Sequence, residues 1–273
     1  MVWFWNKVFL RTQSRPGLLA REQLGYIIGS FNVLIDRLAE ACREQGVDVR
    51  VGVGVERLER QADTSPRFTL HDTAGSGTDV DLVVSTLPSP LMLRLVPDMP
   101  TPYRDTLTSS VYQGAVVVLL ELRQQLSGTY WLNIGDARLP FTGIIEHTNL
   151  IGPEHYGGAH LVYAGKYLDW DHPWVTMSDE ELLDEIEPSL RLVNPAFDRS
   201  WITRFWVFKA PAAQPVVSLR YGETLPEHRT PITGLYLANM SQIYPEDRGT
   251  NYAVQLGNDI ASIVATDIAS SRV

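Results

Sequence analysis

The sequence predicts a mixed α/β fold carrying a strand-rich insertion, and three observations support that class. A helical apolar period over residues 30–46 gives way directly to a period of two through residues 47–55. Residues 101–220 read mostly as strands broken by Gly- and Pro-containing turns. From residue 234 onward the pattern returns to a short strand, a polar loop and a long helix with an apolar stripe.

Each element follows from its own residues. Phe31, Leu34, Ile35, Leu38, Ala41 and Cys42 fall at helical spacing, with Ser30 placed as the N-cap and Gly46 as the glycine stop. The stripe is expected to be buried, which makes Cys42 a packed thiol rather than a reactive one. Val47, Val49, Val51, Val53 and Val55 alternate with polar or small residues, as in a strand. RFTLHDTAGSGTDVDLVVSTLP (67–88) adds a strand, a glycine turn and a second strand, whose Leu82-Val83-Val84 run suits a sheet buried on both faces. Further strands are expected near 110–122, 129–134, 143–148, 160–167 and 200–208. Among them stands one helix: Ser178 and Glu181 form a capping box, Leu182, Leu183, Ile186 and Leu190 share a face, and Pro188 is expected to kink or end it. The acidic run 178–187 is its solvated face. In the final helix, Ala253, Val254, Leu256, Gly257, Ile260, Ile263, Val264 and Ile268 form the side expected to be buried.

Composition narrows the function. With 44% hydrophobic and 20% charged residues the chain has ordinary globular usage, and 273 residues leave room for one large domain or two small ones. The balance of 23 basic against 32 acidic residues, a net charge of −9, argues against nucleic acid or an anionic membrane as partner and favours a small molecule. A single cysteine excludes an internal disulfide and a thiolate zinc site, so a reducing, cytoplasmic setting is expected. No segment approaches the ~20 apolar residues of a membrane helix. The start, MVWFWNKVFLRTQSR, has no signal-peptide h-region and reads as the interior of a fold.

Motifs that carry chemistry are few. Gly52/Gly54 and Gly75/Gly77 lack the third glycine of a dinucleotide fingerprint, Arg57 and Val80 standing there instead, so bulge and turn roles are expected. P-loop, G-x-S-x-G and H-E-x-x-H motifs are absent, and the six histidines do not fall at ligand spacing, so no metal is expected. Glu146 and His147, at a strand end, are candidates for proton transfer. Asn239-Met240-Ser241 spells a glycosylation sequon, read as coincidence. PEDRGTNYAV (245–254) sets Asp247 and Arg248 before Gly249 at a helix start, where free N–H groups and the helix dipole favour an anion or cofactor.

Taken together, LGYIIGSFNVLIDRLAEACREQGVDVRVGVGVERL (24–58), DLVVSTLPSPLMLRLVP (81–97), the mixed-sheet middle and GLYLANMSQIYPEDRGTNYAVQLGNDIA (234–261) resemble the carboxy-terminal portion of a known superfamily. It is the flavin-dependent amine oxidase and protoporphyrinogen-oxidase-like group, which includes phytoene desaturases and, more distantly, UDP-galactopyranose mutase. The resemblance implies a non-covalent FAD. It implies that backbone at Val53, Gly54 and Val55 holds the adenine end, and that Ser85, Thr86, Leu87 and Pro88 run past the cofactor. Asn239 and Met240 fall at its ribityl or phosphate region; Gly249, Thr250, Asn251, Tyr252 and Ala253 face the pyrimidine edge of the isoalloxazine. Tyr244 and Arg248 are the implied contacts to substrate or flavin, and no catalytic acid or base is assigned.

Two departures qualify the likeness. The family's last strand ends in Ala-Gly and an acidic residue, whereas Ala238, Asn239 and Met240 stand here, and the G-x-G-x-x-G unit is missing. The expectation is therefore an incomplete FAD-binding Rossmann-like domain (1–100 and 231–273) around an inserted mixed-sheet substrate domain (101–230). The chain is expected to be a truncated oxidoreductase beginning at an internal Met, binding FAD weakly or not at all. Its apolar start at Val2, Trp3, Phe4 and Trp5 is expected to be a face that a missing amino-terminal half or a second copy covers. In an intact relative the chemistry is hydride transfer from a C–N or C–C bond to flavin. A redox-neutral mutase or isomerase and a catalytically silent binding module are the alternatives.

Overall fold

The computed structural model describes residues 4–6, 25–61, 67–246 and 248–270; the expectations placed on Met1, Val2, Trp3, Leu24 and Asp247 lie outside the described residues. Two compact units emerge, one from residues 1–25, 34–111 and 217–273 and the other from 26–33 and 112–216.

In the first unit, helix α1 (Asn32–Glu44) leads into an antiparallel meander of β1 (Val55–Arg60), β2 (Phe68–Asp72) and β3 (Gly77–Val80). Strand β4 (Val83–Ser85) then pairs in parallel with the distant β10 (Leu235–Leu237) in the register Leu235–Val83, Tyr236–Val84, Leu237–Ser85. Two helices follow β4: α2 (Ser89–Leu95) and α3 (Thr101–Ser109). Neither was expected. Their signal is Pro90 and Pro102 in the first turns, where a missing N–H costs nothing. Phe68, Met92, Leu107, Leu235 and Leu237 form the core between these elements. Helix α5 (Thr250–Ala269) packs Ile260, with Leu256, Ile263 and Val264, against Tyr236 and Ala238.

Four expectations are corrected here. The apolar stripe of α1 is not buried: Phe31, Leu34, Ile35 and Leu38 are all exposed, and Cys42 is half-buried. The valine alternation becomes a strand only at Val55, with residues 47–54 outside any ladder, because alternation supplies a face but not a hydrogen-bonding neighbour. The Leu82-Val83-Val84 run is not buried on both faces, since Val84 is 41% exposed. In α5, Val254 and Ile268 likewise lie exposed and only part of the stripe is covered. Gly75 sits at φ +80° in the β2–β3 turn, as its turn role requires.

The second unit is a five-stranded antiparallel sheet, in the order β6 (Trp131–Asn133), β7 (Gly143–Glu146), β8 (His160–Leu168), β5 (Tyr112–Leu122), β9 (Ile202–Pro215). Along β5, Val116, Val118, Leu120 and Leu122 point to the buried face and alternate with half-buried residues, the pattern of a sheet packed on one side. That side is covered by α4 (Asp179–Val193) through Leu182, Leu183, Ile186 and Leu190. Both halves of the α4 capping box form: Ser178 Oγ accepts from Glu181 N, and Ser178 N donates to Glu181 Oε2 at 2.7 Å. Pro188 neither ends the helix nor stops its register. It lies on the exposed side, so the carbonyl it leaves free is not trapped in the core.

Candidate functional site

Strands β4 and β10 run parallel and end together at Ser85 and Leu237. In open α/β sheets, the crevice beyond the carboxyl ends of parallel strands is where ligands bind. Here those ends continue into the segments 85–88 and 238–249. Residues 85–87 form part of a cavity of about 660 Å3. Ser85, Thr86 and Leu87 line it on one side, and Val53, Gly54 and Val55 on another. Six of the residues implied by the resemblance are therefore brought around one space, although Val53–Val55 and Ser85–Leu87 are separated by some thirty positions in the chain.

The rest of the wall is mostly apolar, with Leu58, Met92 and Leu235 coming from the unit's core. Glu56 and Arg94 are the charged residues in the lining. The sequence reading missed them both; their signal is position, Glu56 directly after the valine alternation and Arg94 in the last turn of α2. A mostly apolar lining with a carboxylate and a guanidinium as its polar groups is the usual make-up of a small-molecule site. Pro88 lies just past the wall as the N-cap of α2.

Asn239 is buried and its side chain is fully engaged within the protein. Its Oδ1 accepts from Ser241 N at 3.0 Å and Ser241 Oγ at 2.6 Å, while Nδ2 donates to Leu87 O at 2.9 Å. It pins the turn Met240–Gln242 to segment 85–88, and Gln242 Oε1 accepts from Asn239 N in return. Tyr244, further along this loop, packs its ring against Tyr221 with centroids 5.6 Å apart. Tyr221 is itself anchored, its hydroxyl donating to Ser241 O at 2.7 Å.

The loop ends at Gly249, the N-cap of α5, and no side chain caps that helix. Thr250, Asn251, Tyr252 and Ala253 form its first turn, where N–H groups and the dipole favour negative charge. One residue earlier, Arg248 Nη1 is buried without a hydrogen-bond partner. A buried donor left unmatched beside an uncapped helix start suits an anionic or carbonyl-bearing group. Among the described residues no cluster of His, Cys, Asp and Glu could hold a metal ion, and no helix is long and apolar enough to cross a membrane.

In the second unit, Glu146 and His147 do not act as a pair. Glu146 is fully buried and accepts from Leu126 N at 3.0 Å and Ser127 N at 2.6 Å. His147 turns into a cluster of tyrosines, its Nε2 2.6 Å from Tyr156 Oη and its ring 5.0 Å from that of Tyr26. Burial lowers the His147 pKa from its ordinary value; burial, followed by the hydrogen bond with Tyr26, pushes Tyr156 up to about 12.

Solved structures share this fold. A candidate protoporphyrinogen oxidase from Exiguobacterium sp. 255-15 superposes with a TM-score of 0.62 at 19% identity, over 86% of this chain and 51% of its own. A redesigned putrescine oxidase gives 0.64 at 16%, over 88% and 53%. Reduced-state UDP-galactopyranose mutase gives 0.55 at 14%, over 75% and 46%. Residues 5–255 match the model of the flavin containing amine oxidoreductase family, and the chain belongs to that family. No curated protein matches it. The chain spans about half the length of these solved relatives.

Proposed function

We propose that these 273 residues carry the later part of an FAD-dependent oxidoreductase that oxidises a C–N or C–C bond of a small molecule. The observation that carries this reading is the convergence of Val53–Val55 and Ser85–Leu87 on one cavity that runs along β4. In it, the cavity holds the adenine end of FAD, and Arg248 with the first turn of α5 faces the flavin ring. When bound, FAD accepts a hydride from the substrate. This chain's own residues bind and orient: the α5 N-terminus favours negative charge on the ring, Arg248 supplies an unmatched donor, and Tyr244 borders the same loop. The second unit presents the substrate. No described residue is assigned as acid or base.

One part of the cofactor site is not supplied by these residues. The pyrophosphate of a dinucleotide is held by a glycine-rich turn opening a helix, and no G-x-G-x-x-G occurs in the sequence. A polypeptide of these residues alone therefore binds FAD weakly. A second reading, a redox-neutral mutase, is favoured by one feature: the acidic residue expected after the strand's Ala-Gly is missing, Asn239 and Met240 following Ala238 instead. A silent binding module is the third.

Reconstitution with excess FAD, gel filtration and the visible spectrum of the eluted protein test the proposal. Flavin that co-elutes, even substoichiometrically, and falls further in Arg248→Ala is expected; anaerobic bleaching by an amine panel identifies the oxidase chemistry. Complete absence of flavin from both this polypeptide and one extended by a G-x-G-x-x-G unit sinks the flavoprotein reading. Retained flavin without bleaching by any donor favours the mutase.

A further inference from the structure

The chain has three lysines, and their settings differ. Lys7 lies outside the described residues. Lys166 on β8 and Lys209 on β9 both stand opposite Val116 of β5, so they share the sheet face that α4 covers. Lys209 is held by backbone carbonyls, its Nζ donating to Val175 O at 3.1 Å and to Met177 O. Lys166 forms no ion pair with any described residue, not even with Asp169 or Asp171 in the loop that follows it.

What Lys166 meets instead is an imidazole. Its Nζ stands 3.4 Å from Nε2 of His172, the residue that caps the short turn Pro173–Val175. The other ring nitrogen fixes the roles. His172 Nδ1 accepts from Trp174 N at 3.2 Å, which assigns the ring hydrogen to Nε2 and makes Nε2 a donor aimed at Nζ. An ammonium has only donors to offer in return, whereas an amine has the lone pair that such a donor needs. The same lone pair is what attacks a carbonyl carbon. On another side, Nζ lies 5.2 Å from the centroid of the buried Trp174 ring. An aromatic face stabilises a cation formed beside it without the help of a carboxylate. Lys166 is half-buried, so it stays reachable from solvent.

We propose that Lys166 is a covalent site for small aldehydes, which form an imine at its Nζ with help from His172 and Trp174. The Nζ lone pair bonds to the carbonyl carbon and the C=O pair moves onto oxygen, where the His172 Nε2–H steadies it as a hydrogen-bond donor. One proton from Nζ and one from solvent carry that oxygen away as water. The nitrogen pair then closes the C=N bond, and the iminium cation lies beside the Trp174 ring. An aldehyde is the carbonyl that suits the site, because it condenses with an amine by losing water alone and needs no oxidant. It is also what an oxidised primary amine releases on hydrolysis; that link rests on the proposed function, whereas the site itself does not.

The test treats the full chain, without FAD, with benzaldehyde and cyanoborohydride, which reduces the imine as it forms. Chymotryptic digestion and mass spectrometry then read each lysine separately over time. Lys166 is expected to be benzylated at least about tenfold faster than Lys209, and to exceed its own rate in urea by a similar factor. His172→Asn keeps an oxygen that can accept from Trp174 N and removes the ring N–H. It is expected to slow labelling of Lys166 by about tenfold or more while circular dichroism stays near wild type. Labelling of Lys166 no faster than Lys209, or no faster in the folded chain than in urea, overturns the proposal and marks ordinary amine reactivity. A folded His172→Asn chain that labels at the wild-type rate overturns it too, as does the absence of any adduct at Lys166. If His172→Asn does not fold, the comparison of folded and urea-unfolded wild type decides. Because no flavin is present, the outcome stands whether or not flavin uptake succeeds.

Discussion

Glu146 and His147 are neighbours in the chain and part company in the fold, because successive side chains of a strand end point to opposite sides. Glu146 closes the loop after β5 by accepting two backbone N–H groups in a fully buried setting. Glu146→Ala strands both donors and is expected to lower stability by about 2–4 kcal/mol in urea unfolding, with Glu146→Gln, which keeps one acceptor, costing less. His147 answers to a different force. Burial favours its neutral form, so the unfolded chain takes up a proton at the ordinary value of 6.5 while the folded chain does so only at lower pH. Its contribution is complete above pH 6.5 and is lost as pH falls through the folded value. Urea midpoints at pH 7.5 and 5.5 are expected to differ in wild type and to converge in His147→Phe. Tyr156 works in the opposite direction: raised to about 12, its contribution is present below pH 10 and is lost as pH climbs from there.

Elements show what local sequence can and cannot determine. The capping box of α4 was legible to the residue, since Ser178 and Glu181 satisfy each other's backbone within four positions. Ser178→Ala is expected to cost about 1 kcal/mol by thermal unfolding. The second unit's strands were legible for a related reason: an antiparallel sheet packed on one face writes a period of two into each strand, as β5 shows. Helices α2 and α3 were missed because they are too short to establish a period, and their prolines read as breaks rather than starts. Helix α1 was legible as a helix, but its stripe says only that an apolar side exists. With Leu34 and Leu38 exposed, Leu34→Lys with Leu38→Glu is expected to change stability by less than about 0.5 kcal/mol, while lowering the fluorescence of an apolar-surface dye. A loss of several kcal/mol would show that the face is covered in solution.

At the scale of the molecule, a family match over residues 5–255 coexists with about half the length of the solved relatives. The glycine-rich turn that holds a dinucleotide's pyrophosphate does not occur in this sequence. Flavin occupancy after reconstitution is accordingly expected to stay well below one per chain, and to rise when a strand–G-x-G-x-x-G–helix segment is fused ahead of residue 1, as read from the visible spectrum. The net charge of −9 bears on solubility rather than on this site, whose lining pairs one acidic with one basic residue, Glu56 and Arg94.

By itself the sequence determined what is local: the period of each segment, the caps and turns, and the absence of a phosphate-binding glycine loop. The order of its motifs also pointed to the family. Tertiary structure decided everything that needs two distant segments. It put Val53–Val55 and Ser85–Leu87 around one cavity, pinned Asn239 to Leu87, left the α1 stripe exposed and paired Gly143 with Gly165 across β7 and β8. The reason is physical: a residue's own pattern records which side of an element is apolar, whereas burial, pairing and cavities belong to pairs of surfaces, and the second surface is written elsewhere in the chain.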